Sequence, residues 1–146
     1  MNQLSLSSGV VRRVLSPHIS FLSRQTNTES SFSHGQTVIF DTLYENLGHG
    51  YNPHNGIFRA PVAGLYIVLL TVASDGTRSP DVEVVLDGSV LCRVVTTLYW
   101  VGSSCNIIVH FNEGDNVWAR IEYDYAESRI RGAFFSTFSI GLLSPD

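Results

Sequence analysis

From Pro17 to its end, this chain places apolar runs of strand length between clusters of Gly, Pro, Asn and Asp, and no run repeats at helical spacing. That pattern confines it to a sheet protein, whose short strands must be stacked by turns until their apolar faces are covered. The strongest turn signal is Asp87-Gly88, because a type I′ hairpin turn needs positive φ at both central residues. Val82, Val84 and Leu86 share one face before it, and Val90, Cys92 and Val94 return after it. Ile107, Val109 and Phe111 alternate with Asn106, Ile108 and His110. After the turn at Asn112–Asp115, Val117, Ala119, Ile121 and Tyr123 face inward, opposite Trp118, Arg120, Glu122 and Asp124.

The rest of the chain follows the same reading. Residues 18–22 form a first strand, the polar stretch 23–35 a loop, and 38–40 a return to the sheet. Residues 48–56 wind through turns. The continuous apolar segment Leu65–Val72 suits a strand buried on both faces. Residues 124–131 read as a polar loop, and 133–143 as the last strand. Eight or more strands at this spacing imply an all-β sandwich or barrel. Residues 1–16 lack the apolar core of a secretory signal, since Arg12 and Arg13 follow Val10 and Val11 at once; they read as a loosely ordered lead-in to a head at 17–146.

Composition narrows the function. At 146 residues the chain suits one domain. Its net charge is −4, and its nine basic residues are all arginine. Such a surface does not suit nonspecific binding to nucleic acid or anionic membrane, which needs clustered basic charge. No apolar run reaches the roughly 18 residues of a membrane span. Only 15% of residues are charged while 44% are hydrophobic, against roughly 25% charged in an average soluble protein. Cys92 and Cys105 form one bridge or are two buried thiols, and spacing does not decide between them. No Asn-x-Ser/Thr site occurs.

Enzyme motifs are missing. Gly102-Ser103-Ser104 is not a Gly-x-Ser-x-Gly elbow, and there is no His-Glu-x-x-His or paired-cysteine site. His49 and His54 flank Pro53 without a third ligand and read as surface histidines. Two loops carry binding chemistry instead. Tyr99 and Trp100 stand beside Gly102, and such rings pack on the C–H faces of sugars or anchor a core or subunit interface. Tyr123, Asp124, Tyr125, Glu127, Arg129 and Arg131 crowd phenols, acids and guanidiniums into nine residues. Arg forks bind carboxylates bidentately, so an acidic sugar or lipid headgroup fits this loop, as does a solvated, ion-paired surface. Asp124 and Glu127 are hard donors for calcium, but two carboxylates fall well short of its six to eight oxygens. No metal or other cofactor is required.

One spaced signature is more specific. Phe40, Asn46, Tyr51, Phe58, Gly64 and Tyr66, with Phe58-Arg59-Ala60-Pro61-Val62-Ala63-Gly64-Leu65-Tyr66 at its centre, resembles the diagnostic pattern of the complement component 1q (C1q) globular-head family. Gly114-Asp115-x-Val117-Trp118, Ser136-Thr137-Phe138-Ser139 and Leu142-Leu143 match its later strands in order. The departures are Val68 and Leu70 where the family has aromatic residues, and Ile140-Gly141 where it has Gly then an aromatic, which points to a shifted bulge. The resemblance covers about 17–145.

It implies a ten-strand jelly roll of two five-stranded sheets, similar to the tumour necrosis factor cytokines, and a non-covalent homotrimer with an extracellular role. With no collagen-like repeat ahead of the head, the chain is similar to short invertebrate members that act as innate-immune lectins. Phe40, Asn46, Tyr51, Phe58, Gly64, Tyr66 and Phe138 are then scaffold, and the two loops bind microbial glycans or anionic surface ligands. The alternative is a cytokine-like or assembly module that meets a receptor protein. On this reading, Arg129→Ala and Arg131→Ala weaken binding to an acidic glycan without lowering stability.

Overall fold

The computed structural model describes residues 17–76, 81–96, 102–123 and 128–146, together with the backbone of 3–7 and 10–14. β1 (Gln3–Ser7) and β2 (Val10–Val14) pair with each other in a small antiparallel sheet, where the sequence suggested no strands. The other strands are β3 (Ser20–Phe32), β4 (Thr42–Leu47), β5 (Tyr51–Asn52), β6 (Ile57–Arg59), β7 (Gly64–Ser74), β8 (Asp81–Leu86), β9 (Ser89–Val95), β10 (Gly102–Phe111), β11 (Asn116–Tyr123) and β12 (Ser128–Pro145). They form two five-stranded sheets, ordered β10-β7-β12-β3-β4 and β5-β6-β11-β8-β9. This is the two-sheet jelly roll that the signature implied. The β8–β9 hairpin turns at Asp87-Gly88, both with positive φ.

The sheets close over one apolar layer. Tyr66, Val68, Leu70 and Val72 of β7 meet Val82 and Val84 of β8 and Val117, Ala119 and Ile121 of β11, all fully buried. Aromatic rings fill the centre: Phe21 stacks on Tyr51 at 4.1 Å between centroids and meets Phe138 edge-on at 5.3 Å, while Phe58 meets Tyr66 edge-on. Edge and offset contacts of this kind suit the ring quadrupole. Burial pushes the pKa of both tyrosines above the ordinary phenol value, so each stays a neutral phenol.

The signature residues are framework. Asn46 ties the chain back on Tyr51, its amide donating to Tyr51 O at 2.8 Å. A Cβ on Gly64 would lie 2.5 Å from Ser144 O and 2.9 Å from Pro145 Cα, so close backbone approach, not positive φ, requires glycine there. Cys92 and Cys105 are bridged, joining β9 of one sheet to β10 of the other with Cα atoms 6.3 Å apart.

Four expectations change. The polar residues after Leu22 continue β3 to Phe32 instead of leaving the sheet, because their side chains find partners there. Ser23 Oγ donates to Phe40 O at 2.6 Å, and Asp41 Oδ1 accepts from Thr26 N at 2.7 Å. Residues 38–40 are not a strand. Val38 and Phe40 plug the side of the core, and the Tyr51 hydroxyl both donates to Phe40 O and accepts from Phe40 N in place of a neighbouring strand. Arg129 and Arg131 lie in β12, which begins at Ser128.

The fourth change concerns β7, which is fully buried on its inner face but only partly on its outer one. There Ala73 is buried and Ile67 and Thr71 are half-buried, while Leu65 and Leu69 are exposed, so the second face of this apolar strand is left partly uncovered in a single chain. The shifted glycine is absorbed: Gly141 stays in register with Ile67, and the slip falls between Leu142 and Ser144.

Candidate functional site

Strand register brings the strand ends that flank both candidate loops to one end of the sandwich. Gly102 pairs with Ala73, Ile130 with Ser74, Tyr123 and Val95 both with Asp81, and Ser128 with Phe32. The segments 77–80, 97–101 and 124–127 are therefore all bracketed by strand ends that meet there. Tyr99, Trp100, Asp124, Tyr125 and Glu127 lie outside the described residues. Tyr123 enters through its backbone pairing to Asp81.

Arg129 and Arg131 stand at this end, each already engaged within the chain. Arg129 Nε lies 2.6 Å from Asp75 Oδ2; the Asp75 side chain is 2% exposed and that of Arg129 is 33% exposed. The guanidinium neutralises a carboxylate that burial would otherwise penalise heavily. Arg131 lies over the Phe135 ring, 3.7 Å from its centroid. Arg129 is thus a structural partner as well as a binding candidate.

A bulge in β12 shapes the wall below. Between Arg131 and Thr137 the strand loses register with both neighbours, and Ala133 takes a positive φ of 52°. Ser136, fully buried, repairs the gap: its hydroxyl donates to Arg131 O at 2.6 Å and accepts from Ala73 N at 3.0 Å. The bulge turns both Phe134 and Phe135 outward, although consecutive strand residues ordinarily point to opposite faces.

Phe134, 81% exposed, and Tyr44, 84% exposed, flank a cavity of about 350 Å³. Leu22, Leu43 and Arg24 help to line it, and the Arg24 guanidinium sits 4.5 Å from the Phe134 centroid. Sequence reading missed this place. The pair Phe134-Phe135 just after Gly132-Ala133 was the available signal, since two adjacent large rings cannot both enter one core.

The outer face of the second sheet carries a charge ladder. Glu83, which alternates with Val82 and Val84 along β8, is nonetheless only 1% exposed. It accepts from Arg120 Nε at 2.6 Å and from Arg93 Nη2 at 3.1 Å, and Arg93 also reaches Glu122 at 3.0 Å. Cross-strand register sets this up, because Glu83 pairs with Arg120 on one side and Arg93 on the other. Nearby Asp81 has its pKa raised by burial and by Glu122, with Arg93 opposing. Among the described residues no group of three or more His, Cys, Asp or Glu is placed to hold a metal, and no helix is long and apolar enough to cross a membrane.

Comparison with known proteins agrees with the fold. The C1q domain family profile matches residues 20–143. Human Multimerin-2 is 32% identical over 116 residues; the match takes in 75% of this chain and only 12% of that protein. The globular domain of the zebrafish complement 1qA protein superposes with a TM-score of 0.72 at 16% identity, covering 88% of this chain and 99% of that one. Eiger TNF from S. frugiperda follows with a TM-score of 0.69 at 12% identity, covering 90% and 96%.

Proposed function

Because the chain belongs to the C1q domain family, we propose that it is a secreted homotrimeric recognition head of innate immunity. It binds microbial glycans or other anionic surface ligands at the loop end of its sandwich and performs no bond chemistry. The observation that supports this reading is that the strand ends flanking the aromatic-rich and the charged segments meet at that one end, through the pairings at Ala73, Ser74 and Asp81. Arg131 there offers a planar, bidentate donor toward carboxylate or sulfate groups.

The trimer is supported by the uncovered face of the β10-β7-β12-β3-β4 sheet. Leu22, Leu65, Leu69, Leu143 and Ile108 project from it, with Ile108 61% exposed. Ser104, Thr71 and Ser139 between them are small and uncharged. Contact with two further copies would give β7 the second buried face that its sequence suits. It would also account for the low charge of the chain. Three loop ends on one side raise avidity by about 10²–10⁴-fold where all engage one surface.

Light scattering at micromolar concentration tests the assembly. The expected mass is three times the 16.1 kDa chain, falling to one chain in Ile108→Asp with an unchanged circular dichroism spectrum. A wild-type mass near 16 kDa overturns it. A screen of the wild type against glycans, lipopolysaccharide and calcium then tests recognition, with Arg131→Gln weakening acidic ligands.

A receptor-binding, cytokine-like role is the second reading. The exposed Tyr44 and Phe134 beside an apolar cavity favour it, since aromatic anchors suit a protein partner. Absence of any glycan or anion binding in the screen would favour this role over the first.

A further inference from the structure

The end of the sandwich opposite the loops, where β7 begins and β12 finishes, holds a polar cleft of about 440 Å³. Its walls come from three separate segments: Gly48–Gly50, Arg59–Pro61 and Glu113-Gly114. These are fastened to one another through the backbone. Arg59 N donates to Gly50 O at 2.8 Å, Gly114 N to Ala60 O at 2.8 Å, and Ala60 N to Asp115 O at 2.9 Å. Glycine is required at two of the wall positions. A Cβ on Gly50 would lie 2.6 Å from the Phe58 ring, and Gly114 has a φ of +87°. The cleft is therefore shaped before any ligand arrives.

Among the described residues, its charged side chains make no ion pair. Of the six arginines whose side chains are described, Arg93 and Arg120 pair with Glu83, Arg129 pairs with Asp75, and Arg24 and Arg131 lie over phenylalanine rings. Arg59 alone has neither a carboxylate nor a ring among the described residues. Its guanidinium lies along the bare backbone of Gly114, where a Cβ would come within 3.2 Å of Nη2. Glu113 lines the same cleft and is likewise exposed, yet the two opposite charges do not pair. His49 adds a third polar group from the other wall.

A ligand that suits this set has a carboxylate for the Arg59 fork and hydroxyls that donate to Glu113 and meet His49. We infer that the cleft walled by His49, Arg59 and Glu113 is a second binding site, specific for a carboxylated sugar. The chemistry is shared by sialic-acid-type and hexuronic-acid sugars. It is independent of the loop end, which lies at the far end of the same strands.

The test is an NMR titration of the isotope-labelled full chain with three probes: the methyl glycoside of N-acetylneuraminic acid, methyl glucuronide, and methyl glucoside as the neutral control. One or both acids should shift the amides of Gly50 and Gly114, and which acid binds identifies the sugar class. The neutral sugar should bind at least tenfold more weakly. Arg59→Gln should lose at least tenfold in affinity for the acid while keeping the wild-type melting temperature. Glu113→Gln should weaken the same acid by a smaller factor, and Arg131→Gln should leave these shifts unchanged. The inference is overturned if neither acid shifts these amides, if methyl glucoside binds as well as the acids, or if Arg59→Gln keeps wild-type affinity. Loss of binding only in Arg131→Gln would also overturn it, while leaving the loop-end proposal standing.

Discussion

Arg129→Ala should cost stability as well as any binding. Removing the guanidinium leaves the Asp75 carboxylate, 2% exposed, without the partner that sits 2.6 Å away. Breaking a buried ion pair from one side typically costs about 3–5 kcal/mol. The Arg129 side chain is itself 33% exposed, so water enters more easily, and a discounted cost of about 2 kcal/mol is reasonable. For a chain of this size that corresponds to a fall in melting temperature of roughly 4–8 °C.

Thermal unfolding followed by circular dichroism measures this directly, and a double-mutant cycle isolates the cause. Asp75→Asn removes the charge that needs pairing, so adding Arg129→Ala to it should cost clearly less than Arg129→Ala alone. A single variant that melts within 1 °C of wild type, or costs that simply add in the cycle, would refute the argument. Arg131→Ala gives the contrast. It gives up a contact with the ring of an exposed phenylalanine, of a kind worth about 0.5–1 kcal/mol.

Two further outcomes follow from packing and charge. Gly64→Ala should lower the midpoint of denaturant unfolding sharply, because its Cβ would meet Ser144 O and Pro145 Cα. Gly88→Ala, with φ +90° but open space around it, should cost only about 1 kcal/mol of backbone strain; equal losses at the two sites would contradict this reading. Asp81 has its pKa raised by burial, so the folded state holds its proton more tightly than the unfolded chain. Its contribution favours folding below the unfolded carboxyl range and is lost as pH rises through the folded value. Asp81→Asn should therefore raise the melting temperature at pH 7, by an amount that shrinks as the pH falls toward 4. A shift independent of pH would point to packing instead.

Much of the fold was legible from local pattern. Alternation placed Val82, Val84, Val117, Ala119 and Ile121 inward because strand side chains alternate by geometry alone. Asp87-Gly88 named its own turn for the same local reason. The errors fell where a side chain stood in for backbone. Ser23–Phe32 reads as loop because its residues are polar, and only the fold supplies the carbonyls and carboxylate of Phe40 and Asp41 that receive them. For the candidate site, composition singled out both polar segments, while register alone showed that the strand ends flanking them meet at one end. Arg129 looked free in sequence because Asp75 is 54 residues away along the chain.

The sequence by itself determined that this is an all-β chain and, through its spaced Phe, Asn, Tyr and Gly signature, which family of jelly rolls it joins. Those are properties of period and spacing, which survive in one dimension. Tertiary structure decided which polar groups are used up and which are left over. It committed Glu83, Asp75 and their arginines to internal pairs, bridged Cys92 to Cys105, and left Arg59 and Glu113 lining one open cleft without pairing to each other. Charge pairing acts through space over a few ångströms, so no reading along the chain could have settled it. The partly uncovered face of β7 belongs to both: its residues were visible as one apolar run, and the structure showed that a single chain leaves its outer side partly exposed.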